Sequence, residues 1–304
     1  MRIVFCLATL LAASGASGQT DWRPVGDGGR VSIDVLAAQT SADLGTNGGG
    51  SDPVGVNRGT STFSLLKVGV RVPLGERFAA VGSLPLALVS LDEGLRVDES
   101  STSTSFFGIG NPYLGVEVAA TPEASVEAGV FLPFSSDQAF DPEGRERADA
   151  TLALAGVATD FEHLETYEGE VLTARLRLGG AFPLSSDVTA RASVAPLLSA
   201  YIGELPLGPQ GMPVDTYPRY NAALVYGAFV DGTLGAVTIS GGALGRYDPD
   251  GGRLAFAEPL SANLLAGVSA DLGSARAGAL VRVNLQGFGG FDPILGLSLD
   301  VPLR

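Results

Sequence analysis

The side chains that could support catalysis are few and isolated. His163, the only histidine among 304 residues, stands between Glu162 and Glu165. A single imidazole supplies neither the ligands of a zinc site nor a base paired with a nucleophile. The glycine-rich stretch 108–115 is no dinucleotide fingerprint, because Pro112 stands where a helix would have to continue. We therefore expect a protein that is not an enzyme and that needs no cofactor.

A second candidate is a short acidic run that resembles the start of a calcium-binding loop. Asp248, Asp250 and Gly251 have the spacing of its first ligands, but the acidic residue that should close the loop is missing at the expected distance. Turn chemistry is the better interpretation, and we expect no metal site.

Charged residues are more informative as a set, because they recur on one parity of alternating polar and apolar segments. In a strand, residues of one parity share a face. If the apolar parity faces lipid, the other parity lines a lumen, and rings of Arg and Lys in such a lining favour anions. The alternative is that these charges pair with one another and leave little passage. The candidate pore-lining residues are Lys67, Arg71, Glu117, Glu127, Arg175, Arg177, Arg191, Asp271, Arg276, Arg282, Asn284 and Asp300.

The segments that carry these residues are predicted strands. In 276–286, Arg276, Gly278 and Arg282 alternate with apolar Ala277 and Val281, which is the period-two pattern of a strand with two unlike faces. Similar alternation predicts twelve strands in all, at residues 31–38, 62–72, 78–89, 113–120, 125–132, 170–180, 188–202, 220–230, 233–245, 257–271, 276–286 and 293–303.

The connections between these strands alternate between short turns and long loops. Asp231 and Gly232, for example, form a dipeptide favoured in two-residue hairpin turns. Short periplasmic turns and long outer loops are typical of a transmembrane β-barrel. The sequence therefore predicts an all-β fold, a closed antiparallel transmembrane β-barrel of about twelve strands. Pro85 and Pro196 fall inside predicted strands, where each requires a bulge or an early strand end.

One insertion in a long outer loop, at residues 135–168, departs from the strand pattern. Its part 148–167 contains the apolar residues Leu152, Leu154, Val157, Phe161 and Leu164, and the polar residues there do not follow the alternation of a strand, which favours a helix. That helix would either occupy or cap the lumen, or pack on the surface of the loop.

The N-terminus predicts export. Arg2, a mostly apolar run and a series of small residues are typical of a cleaved signal peptide at 1–18, which leaves an outer-membrane barrel domain at 19–304. Cys6, the only cysteine, lies inside that signal. A net charge of −14 argues against a nucleic-acid partner. We expect location in the bacterial cell outer membrane, with outer-membrane lipid, a small-molecule solute and the outer-membrane assembly machinery as partners.

Residues 106–134 carry a glycine-rich strand start, a hairpin and a Leu-Pro at the strand end, through Gly108, Gly110, Leu114, Gly115, Leu132 and Pro133. This stretch resembles a bacterial family of outer-membrane transporters associated with the meta-pathway of phenol degradation. The resemblance implies an outer-membrane barrel with uncertain cargo. The chain departs from such barrels at its last residues, Val301 to Arg304, where an aromatic residue that aids assembly is usual.

The expected function is that of a passive channel or transporter for small solutes, of the porin type, with weak anion preference. A non-transporting structural or adhesive outer-membrane barrel is the alternative, and a secreted all-β protein is a third possibility.

Overall fold

The computed structural model describes residues 28–40, 59–94, 101–134, 170–203, 219–249, 260–286 and 293–303. Regular structure within these ranges is entirely strand. The strands are β1 Gly29–Thr40, β2 Gly59–Pro73, β3 Phe78–Gly94, β4 Ser101–Ile109, β5 Tyr113–Ala119, β6 Ala124–Phe131, β7 Val171–Pro183, β8 Val188–Tyr201, β9 Tyr220–Leu234, β10 Val237–Tyr247, β11 Leu260–Asp271, β12 Arg276–Gln286 and β13 Ile294–Leu303.

The strands form one closed antiparallel ring. Strand β1 pairs with β2 on one side and with β13 on the other, while β2 also pairs with β3, so neither end of the sheet is left open. Strands β4 and β5 both pair with β3, one along Leu86–Gly94 and the other along Phe78–Ser83, and share a single position in the wall. The predicted closed antiparallel barrel of twelve strands is therefore confirmed.

The break between β4 and β5 lies opposite a proline. Pro85 has no amide hydrogen to donate, and the chain opposite it leaves the strand path over 110–112, where the Gly110 amide still donates to the Pro85 carbonyl at 2.8 Å. At Pro196 the ladder between β7 and β8 omits the pairs of Leu176 and Arg177. Each proline thus interrupts pairing with one neighbouring strand. The predicted bulge or early strand end is not seen at either proline, because β3 and β8 continue through them and keep their pairing with the strand on the other side.

Two predicted connections are misplaced. Residues 101–105 were expected in a loop, but they form the first part of β4. The turn expected at Asp231 and Gly232 lies instead at Gly235 and Ala236, after β9 has continued to Leu234. Gly235 has φ +63°, a left-handed conformation that glycine adopts without steric cost, so the turn forms where this residue allows it.

The two ends of the barrel differ in the length of their connections. Short turns at 74–77, 120–123, 184–187, 235–236 and 272–275 lie at one end, together with the paired residues Gly29 and Leu303. The longer connections are at the other end, which confirms the predicted alternation. The signal peptide at 1–18, the helix within 135–168 and His163 lie outside the described residues.

The inner and outer faces of the wall have opposite polarity. On β7, Leu176 and Leu178 point outward and are each 43% exposed, whereas Thr173 is fully buried inside. Exposed apolar side chains recur on the outer parity of all the longer strands, and Asp34, Arg71 and Asp300 are among the buried inner residues. No helix in the described part of the chain is long and apolar enough to cross a membrane.

Candidate functional site

The candidate pore-lining residues all lie on the inner parity of their strands. Six are buried, Arg71, Glu117, Glu127, Arg177, Arg282 and Asp300, and five are half-buried, Lys67, Arg175, Arg191, Arg276 and Asn284. Asp271 is exposed, at the last position of β11 beside the short-turn end. The register brings it opposite Arg276, which in turn lies opposite Asp300. Whether these residues line an open passage stays a prediction.

An ion pair joins two strands that are not neighbours. Arg71 on β2 places its Nε 2.8 Å from Oε2 of Glu117 on β5, so the guanidinium crosses the inner face of β3. The residue of β3 opposite Glu117 is Ala79, which is fully buried and small enough to leave room. Arg71 Nη1 also donates to the Gly28 carbonyl at 2.7 Å, which ties the start of β1 to the same contact.

A second group, which we call the Arg175 cluster, consists of Tyr113, Glu127, Phe131, Arg175 and Arg177. The Tyr113 hydroxyl donates to Glu127 Oε1 at 2.5 Å, and Arg175 forms an ion pair with the same oxygen. The Arg175 guanidinium lies 4.1 Å from the Tyr113 ring centroid and 5.4 Å from that of Phe131, within cation–π range. Arg177 is opposite Glu127 in the register. Two guanidinium groups therefore lie near one carboxylate, with Arg175 in direct contact with it.

Glycines beneath the Tyr113 ring leave the space that lets this cluster lie against the wall. A Cβ at Gly129 would lie 2.4 Å from the Tyr113 hydroxyl and 2.5 Å from the Leu114 carbonyl oxygen. A Cβ at Gly115 would lie 2.6 Å from the same hydroxyl. Only the absence of a side chain at both positions lets the ring lie flat and reach Glu127.

Several inner residues were not predicted from the sequence, among them Arg246 and Asp231, the partner of the predicted Arg191. Arg191 binds both carboxylate oxygens of Asp231, its Nη2 lying 2.8 Å from Oδ1, and its guanidinium lies 5.2 Å from the Phe229 ring centroid. Arg246 binds Asp248 through contacts of 2.6 and 3.0 Å, so Asp248 belongs to a buried ion pair and not only to a turn. Parity would have identified Asp231 and Arg246 if β9 and β10 had been given their full lengths.

The inner wall also has an apolar part that was not predicted from the sequence. We call it the apolar arc, and it contains contributions from β3, β5, β6 and β8 to β11. Its members are Tyr113, Phe131, Ala195, Leu197, Ala223, Val225 and Leu244, with Val81 and Leu265 packed against them. Tyr113 and Phe131 belong to both the apolar arc and the Arg175 cluster, so the two surfaces are continuous.

Some inner polar groups are neutral. Thr173 and Ser199 lie 2.8 Å apart on β7 and β8. Asn263 is fully buried, and neither polar atom of its side chain has a hydrogen-bond partner among the described residues. The same residues contain no group of three or more His, Cys, Asp and Glu side chains able to hold a metal ion.

Comparison with known proteins gives a match at the level of fold alone. No protein family and no curated protein matches the chain. Among solved structures, the COG4313 outer membrane channel from Pseudomonas putida F1 is similar with a TM-score of 0.56 at 11% identity, over 95% of this chain and 100% of that chain. A TodX monoaromatic hydrocarbon channel mutant has a TM-score of 0.50 at 10% identity, over 97% of this chain and 96% of that one.

The translocator domain of the autotransporter NalP from Neisseria meningitidis is also similar, with a TM-score of 0.50 at 12% identity, over 91% of this chain and 88% of that chain. Identities this low show a shared fold, that of outer-membrane β-barrels. The resemblance of residues 106–134 to the transporter family associated with phenol degradation stays a prediction.

Proposed function

We propose that this protein is a bacterial outer-membrane β-barrel that serves as a passive channel for small solutes. The observation that carries the proposal is the inversion of polarity across the wall, with apolar side chains exposed outside and charged side chains buried inside. Outward leucines and valines suit hydrocarbon, where a charge near the midplane costs about 2–4 kcal/mol. Arg, Asp and Glu on the inner face suit a hydrated interior.

Ion selectivity is expected to be weak. Seven basic and four acidic residues were predicted on the inner wall. The structure adds Arg30 and Arg246 to the basic groups and Asp34, Asp231 and Asp248 to the acidic ones, so the basic excess becomes smaller. Several of these charges also compensate one another in ion pairs. A slight anion preference remains the expected result.

Conductance in a planar lipid bilayer tests the proposal. The purified protein should produce discrete current steps, and the reversal potential under a potassium chloride gradient should indicate a small preference for chloride. Neutralising Arg175, Arg177 and Arg282 together should abolish that preference. Cation preference in the unmodified protein would refute the assignment of these residues to the lumen, and the absence of current steps would refute the channel.

A non-transporting barrel is the second candidate, and the ion pairs favour it. Arg71–Glu117, Arg175–Glu127 and Arg191–Asp231 tie neighbouring parts of the inner wall together, as expected of an interior filled by its own side chains. Under this candidate the barrel inserts into the membrane but carries no current.

Location is tested separately from transport. Both candidates require the protein to fractionate with the outer membrane and to depend on the outer-membrane assembly machinery. Both also require faster gel migration before boiling than after it, since the closed barrel resists detergent. A secreted all-β protein would be found in the medium.

A further inference from the structure

The outer face of the wall ends in leucine at the short-turn end of the barrel. Six of the described strands run toward this end, β2, β5, β7, β9, β11 and β13, and on five of them the last outward position, on the strand or directly after it, is a leucine. We call these residues the boundary leucines, and they are all exposed: Leu74, Leu184, Leu234, Leu272 and Leu303. We propose that the boundary leucines are embedded in the acyl chains of the periplasmic leaflet and fix the depth of the barrel in the membrane. The inference rests on the proposed location in the outer membrane and not on conduction.

Each boundary leucine continues the outer parity of its strand. On β2, Val70 and Val72 point outward and are 42% and 40% exposed, and Leu74, the next residue of the same parity, is 64% exposed. On β7, outward Leu178 leads in the same way to Leu184, which is 66% exposed. The leucines therefore extend the apolar outer surface past the last paired residues of the strands. Because that surface is continuous with the rest of the wall, the occupant that fits it is lipid.

The height of the apolar band requires these leucines. On β2 the outward run of apolar residues begins at Leu66, because outward Ser64 and Thr62 on the long-loop side are polar. At about 3.4 Å per residue and a tilt of about 40°, the run from Leu66 to Val72 spans about 16 Å of height, and Leu74 extends it to about 21 Å. The apolar band of outer-membrane barrels is about 25 Å tall. Without its boundary leucine, this part of the wall falls well short of the hydrocarbon that it has to cross.

The backbone beside the leucines suits a dry environment. A backbone amide in hydrocarbon has to be hydrogen-bonded within the protein. The Leu74 amide donates to the Phe78 carbonyl at 2.8 Å, and the Leu184 amide donates to the Val188 carbonyl at 2.8 Å. Proline precedes both of these leucines and also Leu303, and proline has no amide hydrogen to satisfy. Lipid can therefore reach these positions without leaving an unpaired donor there.

Polar residues follow the leucines within a few positions and mark where the hydrocarbon ends. Exposed Glu76 and Arg77 follow the first boundary leucine within three positions, and exposed Asp187 follows the second. Among the described residues, Phe78 and Phe182 are the aromatic side chains exposed on the outer face near this end. Leucine thus holds most of the boundary positions that aromatic girdles usually occupy.

Spin labels in reconstituted vesicles test the depth of the leucines directly. Labels replace Leu74 and Leu184 in one set of variants, and Glu76 and Ser186 of the same two turns in the matched control set. Labels at 74 and 184 should be more accessible to oxygen, which dissolves in lipid, than to a water-soluble nickel chelate. Labels at 76 and 186 should show the reverse. If nickel reaches the labels at 74 and 184 as readily as those at 76 and 186, the proposal is overturned, and the leucines form a wet surface open to a periplasmic protein.

Removal of the leucines should matter more in thick membranes than in thin ones. In vesicles of oleoyl lipids, Leu74→Asn combined with Leu184→Asn should lower the ratio of folded to unfolded protein in urea about 100-fold, because burial of each leucine contributes about a factor of ten. In vesicles of lauroyl lipids the loss should be about tenfold or less, because the shortened apolar band nearly spans the thinner hydrocarbon. An equal loss in both lipids would show that the leucines only stabilise their turns, and would overturn the proposal. If the double variant folds in neither lipid, the spin labels decide.

Strand β5 offers the complementary variant. Its last outward residue is exposed Ala120, at the position where the other five strands have leucine. Ala120→Leu should add an anchor and raise the ratio of folded to unfolded protein about tenfold in oleoyl vesicles, with a smaller gain in lauroyl vesicles. No gain in oleoyl vesicles, or an equal gain in both lipids, would count against a role for leucine at this boundary.

The outcomes separate this inference from the channel proposal. The label and urea measurements need only a barrel inserted into a bilayer, so they support the anchors whether or not the protein conducts. A barrel that inserts and conducts, but whose labels at 74 and 184 lie in water, overturns the anchors alone. A chain that does not enter vesicles refutes the membrane location and the anchors with it.

Discussion

Arg71 and Glu117 form a buried ion pair across an intervening strand, with 2.8 Å between Nε and Oε2. Their side chains are only 3% and 5% exposed. Because β3 lies between them, the pair connects three consecutive positions of the wall with one contact. Breaking one partner of such a pair leaves an uncompensated charge, which costs more than the pair contributes.

Glu117→Gln should therefore lower the free energy of unfolding by about 3 kcal/mol, because Arg71 keeps its charge but loses its ion pair with the Glu117 carboxylate. Urea unfolding in lipid vesicles, followed by the loss of the fast-migrating gel species, measures the change. The double variant Arg71→Leu with Glu117→Leu should lose less stability than Glu117→Gln alone. A double variant that loses more would contradict this account of the pair.

Neighbouring glycines on β10 should respond differently to the same substitution. A Cβ at Gly242 would lie 2.3 Å from the Ala228 carbonyl oxygen and 2.4 Å from the Phe229 ring, whereas a Cβ at Gly241 meets nothing within 4 Å. Gly242→Ala should destabilise the barrel by about 1–3 kcal/mol. Gly241→Ala, the matched control, should change it by about 0.5 kcal/mol or less. Equal effects in the same urea assay would show that the Phe229 ring does not need this space.

Tyr113→Phe should measure the contribution of one hydrogen bond to the free energy of unfolding. The variant keeps the ring over Gly115 and Gly129 but removes the hydroxyl that donates to Glu127. We expect a loss of about 2 kcal/mol, typical of a hydrogen bond to a charged group. Tyr226→Phe is the control, since its ring covers Gly245 on the outer face. A loss in Tyr226→Phe as large as that in Tyr113→Phe would contradict a specific role for the Glu127 contact.

Spin labels at adjacent positions of β12 should report different solvents. A label at position 281 replaces outward Val281 and should be accessible to oxygen dissolved in lipid. A label at position 282 replaces buried Arg282 and should be shielded from it. Accessibility measured by electron paramagnetic resonance in reconstituted vesicles checks the expectation, and identical surroundings would remove the basis for membrane insertion.

Parity was predictable from the sequence because lipid and water impose it on every residue of a strand. Alternation in 276–286 is enough to place Arg282 inside and Val283 outside. Strand β4 was not predicted, because its first five residues are serines and threonines and show no alternation of polar and apolar residues. The hairpin was misplaced because Asp231 and Gly232 are a favoured turn pair, yet Asp231 is held in β9 opposite Thr189 and binds Arg191.

Contacts between residues on different strands were less predictable than the face of the wall on which each residue lies. Arg71 reaches Glu117 only because Ala79 on the strand between them is small, and that depends on a register the sequence does not state. The apolar arc likewise consists of residues such as Leu197 and Val225, whose inward direction becomes visible only when strand boundaries are fixed. The face on which a residue lies is set by its own strand, whereas its partner on another strand depends on the register of all the strands between them.

The pairing of Gly29 with Leu303 has a consequence for the order of folding. Every other pairing in the wall joins strands that are consecutive in the chain or, for β3 and β5, one strand apart, whereas this pairing joins the first strand to the last. The entropy of bringing distant segments together makes such a contact late and slow. Until it forms, β1 and β13 each present an unpaired edge able to recruit other chains, so the period before closure is when the nascent barrel is most vulnerable to aggregation.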